Sequence, residues 1–268
     1  MKNHATAFHE LHRGPGVLCL PNCWDAGSAR LLERVGAKAV ATTSAGLAWS
    51  LGYPDGDALP VRELAAAVAR IARVIGIPLS VDMEAGYSDD PASVGEAVAA
   101  VLDAGGVGIN LEDGAASPDL MARKVAAARS VASRAGIDLF VNARTDVYLR
   151  NLVPDEGKVA ESLARAAKWR DAGASGFFVP KVVADADIRA IAEGCDLPLN
   201  VLAWHALAPA ARLAGLGVRR LTSGSAIALS AWARAKQAAE GFVRDGDSAA
   251  LLAGQTPYGE VNALFSAR

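Results

Sequence analysis

The stretch Ile77-Pro78-Leu79-Ser80-Val81-Asp82-Met83-Glu84-Ala85-Gly86 decides how this chain is read. An apolar body ends in two carboxylates one residue apart. Residues i and i+2 of a strand project to one face, so Asp82 and Glu84 are expected to emerge together from the end of a buried strand. Carboxylates are almost never fully buried without a partner or a cation. Two later runs have the same build. Val107-Gly108-Ile109-Asn110-Leu111-Glu112-Asp113-Gly114 ends in acids, and Leu139-Phe140-Val141-Asn142-Ala143-Arg144-Thr145-Asp146 carries a cation at its tip.

Apolar, β-rich runs of this kind recur at 17–22, 39–43, 79–84, 108–113, 139–144, 177–181, 199–202 and 220–223. Between them lie Ala-, Leu- and Arg-rich segments with helical spacing, such as 62–75, 92–103, 119–135 and 155–171. Strands alternating with helices predict βαβ units and a parallel sheet. Gly36, Gly76, Gly105, Gly136, Gly173, Gly194 and Gly217 each fall between a helical segment and the next strand, where a left-handed residue is often needed. Seven joints and a first strand give eight β/α units, the number that closes into a (β/α)8 TIM-type barrel. The alternative is an open doubly wound sheet, but no strand is followed by the Gly-x-Gly-x-x-Gly turn of that class. With 268 residues and no linker, the chain is read as one barrel domain over 1–268, with residues 231–268 as a C-terminal helical extension.

The composition narrows the function. Hydrophobic content is 52 % and net charge −2, so there is no basic footprint for nucleic acid and no apolar stretch fit to span a membrane. The first ten residues lack the apolar core of a signal peptide. Cys19, Cys23 and Cys195 form no disulfide framework, and reduced thiols favour a cytoplasmic setting. Cys19 reads as core, Cys23 as a rim residue without a basic neighbour. His4, His9 and His12 read as surface residues of an N-terminal amphipathic stretch.

The C-terminal ends of the runs carry Asn22 and Asp25, Thr42-Thr43-Ser44, Asp82 and Glu84, Glu112 and Asp113, Asn142, Arg144 and Asp146, Lys181, Asn200 and His205, and Ser223. In a barrel these ends share the active-site face. Loop polarity alone accounts for Asp25 and Asp146, but poorly for Asp82, Glu84, Glu112 and Arg144, which lie inside the runs. Asp82, Glu84 and Glu112 are hard oxygen donors suited to Mg²⁺ or Mn²⁺, with Asp82 as the direct ligand. Arg144 is a planar fork for a carboxylate or phosphate, or an ion-pair partner of Glu112 or Asp113. Thr43-Ser44-Ala45-Gly46 offers hydroxyls and N–H groups for a carboxylate end, or makes an ordinary turn. Asn200 and His205 stand at the substrate end of the seventh run, and His205 reads equally as acid/base or as a loop residue. Lys181 is a site or solvated rim lysine. The connection 46–57, with its spaced glycines, has the build of a lid, with Asp55 as a gating carboxylate and Trp49 covering a ligand or packing.

These residues together resemble the isocitrate lyase/phosphoenolpyruvate mutase superfamily, most closely its phosphonomutase-type members. The similarity runs from Leu20-Pro21-Asn22-Cys23-Trp24-Asp25-Ala26 to Ser223-Gly224-Ser225 and is strongest over 42–55, 82–87, 110–114 and 142–146. The resemblance implies a barrel that exchanges its last helix within homodimers or homotetramers. It implies Mg²⁺ near Asp82 with Glu84 and Glu112 close by, carboxylate contacts from Thr43-Ser44-Ala45 and Arg144, and Asp55 on the gating loop. Substrates would be small 2-oxo or 2-hydroxy acids, passing through an enolate. At Glu84 the family commonly has Asp. The lyase branch's Lys-Lys/Arg-Cys-Gly-His motif is replaced here by Gly114-Ala115-Ala116-Ser117-Pro118-Asp119. The Lys and Asn of the phosphonate branches are missing from that loop, Lys124 lying too far along and reading as helix. The mutase histidine after the sixth strand has no match in Val179-Pro180-Lys181-Val182. The expectation is a Mg²⁺-dependent C–C lyase. The alternatives are phosphonomutase or phosphonopyruvate hydrolase-type C–P chemistry, and a non-catalytic small-acid binding protein.

Overall fold

The computed structural model describes residues 1–266. Its strands are β1 (Leu18–Leu20), β2 (Asn22–Cys23), β3 (Val40–Thr42), β4 (Leu79–Asp82), β5 (Gly108–Glu112), β6 (Phe140–Arg144), β7 (Gly176–Val179), β8 (Leu199–Leu202) and β9 (Val218–Thr222). All pair in parallel, in the order β1-β9-β8-β7-β6-β5-β4-β3-β2. The first expected run is one stave in two pieces. Pro21 has no N–H for a ladder, and on either side of it Leu18–Leu20 pairs with β9 while Asn22–Cys23 pairs with β3. That stave joins the two ends of the sheet, giving the (β/α)8 TIM-type barrel.

The helices are α1 (Lys2–Leu11), α2 (Ala26–Arg34), α3 (Ser44–Ser50), α4 (Val61–Val74), α5 (Pro91–Asp103), α6 (Pro118–Arg134), α7 (Lys158–Asp171), α8 (Asp185–Gly194), α9 (Ala210–Gly215), α10 (Ala226–Asp245), α11 (Ala249–Leu252) and α12 (Tyr258–Ala263). Local chemistry starts several of them. Asp25 and Ser28 cap α2 reciprocally, which is the work of that rim acid. Asp90 accepts from Ala92 and Ser93 N–H ahead of Pro91. Ser117 accepts from Leu120 N–H ahead of Pro118. Of the joint glycines, Gly36, Gly105, Gly136, Gly173 and Gly217 take positive φ. Gly76 and Gly194 do not, because α4 and α8 run out into extended residues, Ile75 and Cys195.

Helix α1 seals the N-terminal end of the barrel. Phe8 is fully buried, and a Cβ at Gly108 would lie 2.6 Å from its Cε1, so glycine is what admits the ring. His12 is buried as well and stacks on Phe140 at 4.0 Å between centroids. This corrects the surface reading of His12: the apolar face of α1 is a plug. His4 and His9 are half-buried. Cys19 is exposed rather than core, whereas Cys23 is buried and its thiol is pushed up to about 12 by burial.

At the other end of the chain α10 begins at Ala226, earlier than expected, and buries only Ala228. Gly246, in the left-handed conformation, ends it. Leu229, Trp232, Phe242, Val243, Leu252 and Tyr258 are exposed along the extension. Its last two residues, Ala267 and Arg268, lie outside the described residues. Among the described residues no helix is long and apolar enough to cross a membrane.

Candidate active site

The C-terminal ends of the strands surround a cavity of about 760 Å³, within the usual range for small-molecule sites. Of the residues expected in the site, Thr43, Ser44, Asp55, Asp82, Arg144 and His205 line it. Ala45, Glu84, Glu112 and Asn200 stand behind that lining.

The acids are not arranged as a continuing strand would place them. Strand β4 stops at Asp82, and Glu84 takes φ 50°, so the two carboxylates do not project side by side. Asp82 is pinned by its N–H, which donates to Thr42 Oγ1 at 2.8 Å, and its carboxylate accepts from Glu84 N–H at 3.2 Å. Glu84 turns toward the loop after α3. Its carboxylate accepts from Asp57 N–H and, at 3.5 Å, from the Tyr87 hydroxyl. Burial pushes Glu84 up to about 7, with Asp57 N–H opposing and the charges of Asp55, Asp57 and Asp82 adding. Burial pushes Glu112 up to about 8 against the pull of Arg144, and Asp82, Asp146 and Glu84 add to it. Asp82 is raised for the same first reason, again with Arg144 opposing. The corner thus holds more carboxylate than the Arg144 guanidinium neutralises.

Arg144 pairs with Glu112 at 2.5 Å and with Asp146 Oδ1 at 2.8–2.9 Å through Nη2 and Nε, and lies 5.9 Å over the Phe178 ring. The ion pair is real, and Asp146 takes the place considered for Asp113. Asp146 is fully buried, so an acid attributed to loop polarity is the brace of the guanidinium. The fork retains one free N–H on each terminal nitrogen, and Arg144 itself lines the cavity. Asp113 faces away from the site. It accepts from Arg165 Nη1, Thr145 Oγ1 and Asp146 N–H, tying β5 and the loop after β6 to α7.

Thr43 caps α3 and its hydroxyl lies 2.7 Å from Ser225 Oγ. Ser44 N–H is directed to Asp82. The expected long connection therefore begins as helix α3, and only its second half is loop. There Asp55 is exposed at the cavity edge, and Trp49 packs on Trp232 of α10 at 6.4 Å. His205 is exposed beside Trp204. Lys181 stands over Trp204 at 5.9 Å in a positive-φ conformation. Asn200 is fully buried, its Oδ1 accepting from Thr222 Oγ1 at 3.4 Å. Lys124 is helical, as read, and its Nζ donates to Ala85 O at 2.9 Å and Asp89 at 3.2 Å.

The strands also carry polar residues at mid-height: Ser80, Asn110, Asn142 and Arg220 are buried. Arg220 Nη2 donates to Asn110 Oδ1 at 3.2 Å. Strands β9 and β5 are not neighbours in the sheet, so that bond crosses the barrel interior. Asn110 and Thr222 also line the cavity. Sequence reading placed Asn142 at the rim and missed the rest of this layer. Its signal was the spacing itself, since Ser80, Asn110, Asn142 and Arg220 each stand two residues before a rim residue.

A family model described as phosphoenolpyruvate phosphomutase matches residues 8–243. The chain belongs to the phosphoenolpyruvate mutase/isocitrate lyase superfamily. An uncharacterized protein of Mycobacterium tuberculosis is 35 % identical over 258 residues, 96 % of this chain and 95 % of that one. Oxaloacetate decarboxylase of Paraburkholderia xenovorans is 31 % identical over 248 residues, 87 % of this chain and 79 % of the relative. A Burkholderia cenocepacia crystal structure, described as a candidate lyase/mutase, superposes with a TM-score of 0.90 at 34 % identity, covering 99 % of this chain and 96 % of that one. Members of the superfamily are lyases or mutases, which supports an enzyme of that kind here, and the resemblance read from the motifs holds.

Proposed function

We propose that this protein is a Mg²⁺-dependent lyase that cleaves a C–C bond of a small 2-oxo or 2-hydroxy carboxylic acid, in the manner of an oxaloacetate decarboxylase or an alkylmalate lyase. The observation that carries this reading is the shared wall of Asp82 and Arg144. They end β4 and β6, on either side of β5 and Glu112, and both line the cavity. Among the described residues no three His, Cys, Asp or Glu side chains converge as a ready-made metal cage. That fits Mg²⁺, which binds through one or two carboxylates and keeps its waters. The corner has the hard oxygen donors and excess carboxylate such an ion requires. Asp82 would hold it directly, with Glu84 and Glu112 behind. When bound, the ion supplies Lewis-acid stabilisation of an enolate.

The chain's own groups do the rest. Arg144, braced by Glu112 and Asp146, holds a substrate carboxylate in a fixed plane. Ser44 and Thr43 close one side, and His205 and Asp55 stand at the entrance. Decarboxylation leaves the bonding electron pair on the enolate and releases CO₂ with no base from the 114–119 loop, whereas release of a carbonyl product from a 2-hydroxy acid must also pass the hydroxyl proton to a base. That loop supplies none: Ser117 caps α6 and Asp119 pairs with Lys168. The same observation favours, as a second reading, a small-acid binding protein without turnover. C–P chemistry is the third, since the residues expected for it are absent. The exposed apolar residues of α10 to α12 support a homodimer or homotetramer joined through the extension, which light scattering would test.

The deciding experiment is an NMR time course with Mg²⁺ on oxaloacetate, phosphonopyruvate, phosphoenolpyruvate and alkylated malates, with Asp82→Ala as the blank. Pyruvate or another 2-oxo acid forming above the blank, with phosphorus signals unchanged, is the expected result. Change confined to the phosphorus spectrum would replace the lyase by phosphonate chemistry, and ligand binding without turnover would establish the binding protein.

A further inference from the structure

Arg220 is a buried cation that the proposed reaction has not used. It sits on β9 with no exposure to solvent, its guanidinium 5.9 Å over the Phe8 ring that plugs the barrel. Among the described residues no carboxylate forms an ion pair with it, although the charge of Asp82 acts on it. Among the described residues its one hydrogen-bond acceptor is Asn110 Oδ1, while Nε and Nη1 find no partner. Buried polar groups left this way call for a reason.

The reason lies in what a guanidinium can accept, which is nothing. Asn110 has two faces to offer, one accepting and one donating. Arg220 faces it with N–H groups only, so the amide must turn its oxygen inward. Asn142 Nδ2 donates to the same oxygen at 2.9 Å, and the reversed amide would set donor against donor in a dry interior. With Oδ1 held by two donors, Nδ2 is the group that Asn110 presents to the cavity it lines. Asn110 stands opposite Asp82 in the β4/β5 register, on the floor of the site between Asp82 and Arg144.

We infer that Arg220 is a positioning residue that fixes the Asn110 amide with its N–H groups aimed into the cavity, where they donate to an oxygen of the bound carboxylic acid. This rests on the lyase reading above and adds a donor to it. Such a donor costs no reorganisation when charge develops on the ligand, because Arg220 has set its direction beforehand from the interior side.

The test is a double-mutant cycle read by binding of oxalate, a planar dicarboxylate shaped like the enolate of pyruvate. Calorimetry in saturating Mg²⁺ gives the oxalate Kd of the wild type, Asn110→Ala, Arg220→Met and the double variant. Each single change is expected to weaken oxalate about tenfold. The double variant should bind no more weakly than Asn110→Ala, because both changes remove one donor. A second readout uses the wild type labelled with ¹⁵N-asparagine. The side-chain NH₂ signal pair missing from Asn110→Ala should shift when oxalate is added, and should stay still in Arg220→Met. Should Arg220→Met not fold, the wild-type shift and the Asn110→Ala affinity decide the matter. Losses that add in the double variant, an unchanged Kd in Asn110→Ala, or a wild-type amide that does not move would each overturn the assignment. If the wild type takes up no oxalate at all, the lyase reading falls with it; if it binds and the amide is still, only Arg220's role is lost.

Discussion

At the mouth of the barrel, burial raises acids: Asp82, Glu84 to about 7 and Glu112 to about 8. From mid-height down to its base, burial lowers bases: His12 to about 3 and Arg220 to about 9. The physics is the same, since a dry environment disfavours whichever form is charged. The consequences differ because the mouth opens on a cavity and the base is shut by α1. In the proposed function a cation from solution enters the mouth and restores the carboxylates to their charged form. Nothing reaches the base, so its groups are held neutral or half-satisfied for as long as the protein is folded. An unrelieved acid cluster beside a cavity is suited to a cation from solution; an unrelieved base behind a plug can act on the site only through a neighbour, as inferred for Arg220 through Asn110.

The sharpest way to break that division is Asp82→Ala. Turnover is expected to fall by about a thousandfold or more, roughly 4 kcal/mol of lost stabilisation, and the rise in Tm that Mg²⁺ gives the wild type should vanish. Scanning calorimetry with and without Mg²⁺ checks the second part. A Mg²⁺-induced Tm shift that survives in Asp82→Ala would place the cation elsewhere and deprive the mouth of its distinction. The counterpart at the base is Phe8→Ala, expected to cost about 3–5 kcal/mol of stability in urea unfolding while the KM of the folded fraction stays as it was. A raised KM without loss of stability would show that the plug reports on the site. Between the two stands Arg144→Lys. Lysine keeps the charge and loses the fork, so substrate affinity should drop about tenfold, about 1.4 kcal/mol, with little change in Tm. An unchanged affinity would reduce Arg144 to the ion pair with Glu112 and Asp146.

How much of this was legible in the sequence follows from the kind of environment each residue meets. Parallel strands covered on both faces read as apolar runs, so β4 to β9 fell within a few residues of their expected places, and capping residues such as Asp90 and Ser117 marked the helices between. The rim residues Asp82, Glu112 and Arg144 were legible because a charged tip on an apolar run is rare. The positive φ at Glu84 was not, since nothing in its side chain announces it; only the fold, which ends β4 at Asp82, turns it away from its neighbour. Ser80, Asn110 and Arg220 were passed over, and Asn142 was read only as a rim residue, because an interior filled by polar side chains looks, run by run, like a strand with one imperfect position. Their partners are on strands distant in the sequence, and the bond from β9 to β5 exists only once the barrel closes. His12 failed for a related reason: an amphipathic helix shows which of its faces is apolar, but not that the face will be driven into the end of a barrel.

His12 also gives the smallest and most specific test of the contrast between mouth and base. Its Nδ1–H donates to Phe8 O at 2.7 Å, which leaves Nε2 as a lone pair with no partner. Protonation would place a second cation near Arg220 and His9, against Phe140, with no acid among the described residues to receive it. The unfolded chain has no such restriction and takes up the proton near pH 6.5. Because the folded pKa lies below the unfolded one, the stability that His12 contributes is fully present above pH 6.5 and is lost progressively as pH falls toward 3. The acids at the mouth have folded pKa values above their unfolded ones, so their contribution runs the other way and is lost as pH rises. A stability profile of the wild type alone would mix the two slopes, and the difference between wild type and His12→Phe removes the mouth from the comparison. That difference should shift by about 1 kcal/mol in favour of His12→Phe between pH 6.5 and 5.5, read from urea midpoints at each pH. A flat difference would mean that His12 is reached by solvent or finds an acid in the folded protein, and the base of the barrel would then be open to the same relief as the mouth.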